Sequence, residues 1–150
     1  MKQKAKATHE WVTSGFCIGF NTKKGLILDL DNMKYRKAKW LCAKLCRDYR
    51  LEGYLIIQSS PKNYHAIFNR YLSWRTITKI LFSQYEALRW AVFQMREGML
   101  TLRISEKNGK NKPKIIFKTG KTNKLIRDYL EACKIVERFE KGELKEGSKC

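Results

Sequence analysis

Asp29 and Asp31 stand two residues apart in the run Gly25-Leu26-Ile27-Leu28-Asp29-Leu30-Asp31. Side chains on a strand alternate between faces, so Leu26, Leu28 and Leu30 point one way and Ile27, Asp29 and Asp31 the other. Neighbouring carboxylates repel unless a cation lies between them, and Asp is a poor strand former, so the strand carries a local cost. The pattern predicts a divalent-metal site on a sheet, Mg2+ or Mn2+ held by hard oxygen ligands. The plainer reading is a strand ending in an Asp-x-Asp-Asn turn. In 100–105, Leu100, Leu102 and Ile104 alternate with Thr101, Arg103 and Ser105; in 64–69, Tyr64, Ala66 and Phe68 alternate with His65, Ile67 and Asn69. This phase puts His65 and Arg103 on the face of the two acids. A lone His is more commonly structural than catalytic; its company here argues for chemistry. Acids that bind metal, with Arg and His to hold a triphosphate, make a phosphoryl-transfer constellation. No phosphate-cradling G-x-x-x-x-G-K-S/T loop occurs in the chain.

The elements that must position these residues follow from periodicity. Residues 1–10 read as a basic arm, 11–139 as one domain and 140–150 as a charged, frayed tail. Residues 11–20 read as a short strand or loop. Asn32 is expected to cap a helix over about 33–51, with Ala38, Leu41, Cys42, Leu45 and Tyr49 inward and Lys34, Lys37, Lys44, Arg47 and Arg50 outward. Residues 54–59 and 64–69 form a hairpin about the turn at Ser60-Pro61-Lys62-Asn63. A long helix is expected from Ser73 to about Glu97, with Ile77, Ile80, Leu81, Leu88 and Val92 buried. A strand over 99–105, another over 113–118, and a helix from Thr122 to about Phe139 complete the chain. This order predicts an α+β, RRM-like or ferredoxin-like antiparallel sheet, its helices on one face and the site on the open face.

Thirty-two Lys and Arg against fourteen Asp and Glu give a net charge of +18 over 150 residues, so an anionic polymer is the expected partner, nucleic acid first. Lys107, Lys110, Lys112 and Lys114, with the first helix, are candidate backbone contacts. No apolar run is long enough to span a bilayer and no signal peptide is visible, so no membrane role is expected. Cys17, Cys42, Cys46, Cys133 and Cys150 include no C-x-x-C pair; Cys42 and Cys46, one helical turn apart, read as small buried hydrophobes, and the cysteines point to a reducing, cytoplasmic setting.

Trp11-Val12-Thr13-Ser14-Gly15-Phe16-Cys17-Ile18-Gly19-Phe20, followed by residues 26–31, resembles the opening of archaeo-eukaryotic primase-polymerase domains, which carry an Asp-hydrophobic-Asp metal motif. Ser60-Pro61-Lys62-Asn63-Tyr64-His65-Ala66-Ile67-Phe68 is similar to their second motif, a small-residue turn ending in His. The resemblance spans about 11–116. It implies an RRM-like core, a nucleotidyltransferase that extends a strand on a DNA or RNA template from nucleoside triphosphates, and a place in DNA replication, including that of a plasmid or virus. Asp29 and Asp31 would ligate metal, His65 and Ser60 would contact nucleotide, and Arg103 would lie near substrate. The family's third motif, a hydrophobic-Asp, is missing: the candidate strand reads Leu-Thr-Leu-Arg-Ile-Ser, and Glu86 or Glu97, both in helical pattern, are the alternatives for a third carboxylate. Two other readings stand beside this one. One is a non-catalytic nucleic-acid-binding replication initiator on the same fold. The other is a rolling-circle nickase, which needs paired histidines and a Tyr nucleophile; the chain has His9 and His65, with Tyr35 and Lys39 on a helix.

Overall fold

The computed structural model describes residues 2–6, 9–14, 17–84, 90–92, 94, 96, 98–106 and 111–142, with side chains from residue 18 onward. Its strands are β1 (Lys2–Lys6), β2 (His9–Ser14), β3 (Cys17–Thr22), β4 (Gly25–Leu30), β5 (Gly53–Ser60), β6 (Asn63–Tyr71), β7 (Leu100–Arg103) and β8 (Lys114–Gly120). The helices are α1 (Tyr35–Tyr49), α2 (Trp74–Ser83) and α3 (Lys124–Glu140), and residues 90–92, 94 and 96 are also helical. Every strand pairing is antiparallel, and the chain is α+β, as the element order predicts. Among the described residues no helix is long and apolar enough to cross a membrane.

The strands form two sheets, ordered β1-β2-β3-β7 and β4-β6-β5-β8. The second holds the expected core: β6 lies between β4 and β5, joined to β5 by the hairpin turn. β7 departs from expectation by pairing with β3 rather than entering that sheet. Residues 11–20 are not one short strand but parts of two, β2 and β3, which form a hairpin and offer β7 an edge. Gly19 lies opposite Arg103, and a Cβ there would sit 2.9 Å from Thr101 Cγ2, so glycine lets β7 approach. Residues 2–6, read as part of an arm, form β1 beside β2.

β4 is buried on both faces: Leu26, Ile27, Leu28 and Leu30 are all fully covered. α1 lies over the face of Leu28, Ala66 and Ile56. Its Tyr35 ring sits 6.0 Å from that of Tyr64, and Lys39 Nζ lies 4.3 Å above the Phe117 ring. α3 reaches the other face through Asn69, which alternation puts on the side of His65 and Ile67. Asn69 Nδ2 donates to the Lys121 carbonyl (2.9 Å) and to Asn123 Oδ1 (2.6 Å), and its Oδ1 accepts from the Ile126 N–H (3.4 Å). Helices therefore pack on both faces, where the sequence predicts one, and the central strand β6 is buried continuously from Tyr64 to Asn69.

Two helix boundaries differ from the periodicity for local reasons. α1 starts at Tyr35 rather than Met33, with Lys34 instead of Asn32 at its N-cap. Asn32 adopts φ 53, and its N–H and that of Met33 are taken by Asn63 Oδ1 and the Lys62 carbonyl, so these residues dock on the hairpin turn. α2 is capped by Ser73 as expected but ends at Ser83, whose hydroxyl donates to the Ile80 carbonyl and competes with the helix. Ile77, Ile80 and Leu81 are buried, but Val92 is 54% exposed; Leu88 lies outside the described residues.

β8 adds to the outer edge of β5 through a close glycine pair. Gly53 (φ 144) faces Gly120 (φ 81), and a Cβ on Gly120 would lie 2.3 Å from the Glu52 carbonyl oxygen. Gly120→Ala is expected to lower unfolding free energy by about 2 kcal/mol or more, from the left-handed φ and the backbone clash together. A urea midpoint unchanged by the substitution would contradict this close approach.

Candidate nucleotide site on the β4–β6 pair

Asp29 and His65 are direct cross-strand partners of β4 and β6, which brings their side chains together on one face. His65 Nε2 lies 3.8 Å from Asp29 Oδ1, too long for a hydrogen bond. The His65 side chain is 6% exposed and that of Asp29 22%, and the Asp29 Oδ1 that faces the imidazole is buried with it. Among the described residues His65 Nδ1 has no hydrogen-bond partner.

Arg103 enters from the end of β7. Its guanidinium donates to the backbone carbonyls of Ser59 (3.0 Å), Asn111 (3.0 Å) and Ser105, tying the end of β5 to the segment after β7. Burial first, and the Arg103 charge second, push the His65 pKa down to about 3. The imidazole is therefore neutral at pH 7 and can donate from one ring nitrogen while accepting at the other.

Asp31 lies just past β4 and is exposed. Its turn is fastened to the hairpin turn: the Asn32 N–H donates to Asn63 Oδ1 (2.9 Å), and Asn63 Nδ2 donates to Ser60 Oγ (2.7 Å). Ser60 is thus engaged in holding the two turns together. Of the predicted basic contacts, Lys114 is exposed at the start of β8. Lys112 lies 3.5 Å from Glu137 Oε1 and 3.8 Å from Glu140 Oε2 of α3. Lys107, Lys110, Glu86 and Glu97 lie outside the described residues.

Asp29 faces His65 on β4, whereas Asp31 lies past the strand end in the turn. Among the described residues no group of three or more His, Cys, Asp or Glu gathers as a metal site. Asp128, buried in α3, is bound by the Tyr71 hydroxyl. Tyr71 pairs with Gly25, at the end of β4 away from Asp29, so Asp128 belongs to the core and not to the site. Mg2+ commonly binds through one or two carboxylates and completes its shell with substrate phosphates and water, so a carboxylate of the type of Asp29 or Asp31 has the right chemistry for it. Tyr35 packs on Tyr64 on the α1 side of the sheet, away from the face of Asp29 and His65, and His9 lies in β2 of the other sheet. That separates the elements that a nickase would bring together.

The role of Asn69 in fastening α3, and Asp128 altogether, are not foreseen in the sequence. A polar residue within an otherwise apolar strand is the signal for the first; for the second, Asp128 falls on the apolar stripe of Leu125, Tyr129 and Ala132. Cys42 is buried as expected, whereas Cys46 and Cys133 are only partly covered; burial pushes the Cys46 and Cys133 thiols up to about 11 and that of Cys42 higher still.

His65 gives the fold a pH signature. An unfolded His takes its proton near pH 6.5, whereas folded His65 does so only near 3. The stability it contributes is full above 6.5 and is lost progressively as pH falls between those values. From pH 6.5 to 5 the loss is about 2 kcal/mol, at roughly 1.4 kcal/mol per unit. His65→Asn is expected to flatten the urea midpoint against pH over that interval; an equally steep profile in the variant would assign the slope to other groups.

No family model, curated protein or solved structure matches the chain. The functional reading therefore rests on the residues themselves.

Proposed function

We propose that the protein is a metal-dependent nucleotidyltransferase of the primase-polymerase type, which adds nucleotides to a strand on a nucleic-acid template in DNA replication. The observation that carries this reading is the juxtaposition of Asp29 and His65 across β4 and β6, with the Arg103 charge beside them. Asp29 and Asp31 would hold Mg2+ or Mn2+, which when bound supplies charge neutralisation at the phosphates and activation of the attacking oxygen. His65, neutral and shielded from water, would donate a hydrogen bond to a triphosphate oxygen, a contact strengthened by its low-dielectric surroundings. Arg103 supplies positive potential at the same place while its hydrogen bonds keep the end of β5 in position. The net charge of +18 favours a polyanionic template, DNA in the first place and RNA in the second.

Two observations favour the non-catalytic initiator: Arg103 bonds three backbone carbonyls, and among the described residues no group of three or more His, Cys, Asp or Glu gathers to hold a metal. Binding of a nucleoside triphosphate, followed by calorimetry with Mn2+ and then with a chelator, separates the two. The nucleotidyltransferase binds triphosphate only with the cation, and His65→Gln weakens that binding. Nucleic-acid binding without any metal-dependent triphosphate binding would select the initiator.

A further inference from the structure

The outward side of α1 sets one aromatic residue in a row of cations. Arg36, Lys37, Trp40, Lys44 and Arg47 fall within about 100° of arc on a helix that advances 100° per residue. Ala38, Leu41, Cys42 and Leu45 face the core on the other side. Trp40 is 57% exposed, Arg36, Lys37 and Arg47 are exposed, and Lys44 is paired with Asp48 at 3.0 Å on the rim. From Arg36 to Arg47 the row runs about 16 Å along the helix at 1.5 Å per residue. A single exposed apolar side chain is ordinary. An indole with an Arg or Lys one turn before and one turn after it is a surface of defined chemistry: a planar π-face between phosphate-binding charges.

We propose that this face of α1 binds single-stranded nucleic acid, with a base stacked on Trp40 and the backbone phosphates held by Arg36, Lys37, Lys44 and Arg47. The proposal shares the nucleic-acid partner of the function proposed above and adds where the strand is gripped. α1 covers the sheet face opposite Asp29 and His65, so the grip is separate from the candidate nucleotide site. A single strand is the occupant because stacking on a side chain needs a base free of its own stack, and such stacking is tolerant of sequence. An anionic bilayer suits the helix less well. Membrane-surface helices bury a broad apolar face, and here that face is already committed to the core.

The test uses the full chain, a fluorescein-labelled oligothymidylate and anisotropy over a salt series. Trp40→Ala is expected to weaken binding roughly tenfold or more, as loss of one base stack does. Trp40→Phe, which keeps a stacking face, recovers most of the affinity. The double change Arg36→Gln and Arg47→Gln is expected to reduce the slope of log K against log[salt] by about 1.4, near 0.7 per phosphate contact on a single strand. The surface exposure of all three positions means that circular dichroism should be unchanged. Wild-type affinity in Trp40→Ala overturns the proposal. So does a wild type that ignores the oligonucleotide, or a Trp40-dependent fluorescence change that anionic phosphatidylglycerol vesicles produce and the oligonucleotide does not. Loss of strand binding in Trp40→Ala from a protein that incorporates no nucleotide would uphold the grip and remove only the catalytic reading; normal strand binding by Trp40→Ala in a protein that does incorporate nucleotide would do the reverse.

Discussion

Asp29→Asn is expected to cut metal-dependent nucleotide incorporation roughly a thousandfold, because a metal ligand supports several kcal/mol of transition-state charge stabilisation at about 1.4 kcal/mol per tenfold. The substitution keeps the shape of the side chain beside His65 and removes only the charge, so the fold should survive it. Oligonucleotide affinity should stay the same or rise slightly, since the cations that hold a polyanion lie elsewhere and one repelling charge is gone. Asp31→Asn should act in the same direction, with still less risk to the fold, because Asp31 is exposed past the end of β4. The combination of lost turnover with retained strand binding is the signature of a metal ligand. Wild-type turnover in Asp29→Asn would remove Asp29 from the chemistry.

Arg103→Ala is expected to have the largest effect on stability. Three carbonyls lose a charged donor, and hydrogen bonds to charged groups contribute about 1.5–3 kcal/mol each. The Asn111 contact is exposed and water can replace it, whereas those to Ser59 and Ser105 are partly buried. A net loss of about 3 kcal/mol follows, which lowers the melting temperature by roughly 6–12 °C in a chain of this size. A second readout is independent of melting. Without the Arg103 charge the His65 pKa rises, while burial still holds it below 6.5, so an NMR titration should show a higher but still depressed value. A melting temperature within a degree of wild type, with an unmoved His65 titration, would contradict the role assigned to Arg103.

Local pattern reveals much of this structure because alternation and helical spacing are local. The buried set of α1, the phase of β4 and the 53–71 hairpin all follow from side-chain periodicity, and with them the meeting of Asp29 and His65. The pairing of β3 with β7 does not follow, because it joins segments some eighty residues apart and the register leaves no trace in either composition. Burial of both faces of β4 is hidden for a related reason: Asp29 makes one face look solvated although Ile27 is covered. α2 stops at Ser83 through a hydroxyl–carbonyl bond that apolar spacing ignores. At the site, alternation puts Arg103 on the His65 face of a single sheet, whereas Arg103 reaches the site from β7 of the other sheet and its partners are backbone carbonyls, which residue types do not encode.

Asp29 and His65 are proposed to form a nucleotide site that works with a divalent cation. Template-directed extension tests it most directly: wild type and Asp29→Asn are each supplied with labelled nucleoside triphosphates, primed and unprimed templates, and Mn2+ or Mg2+. Extension by the wild type that disappears with a chelator and in Asp29→Asn is the expected outcome. No incorporation by the wild type on any template with either cation would overturn this.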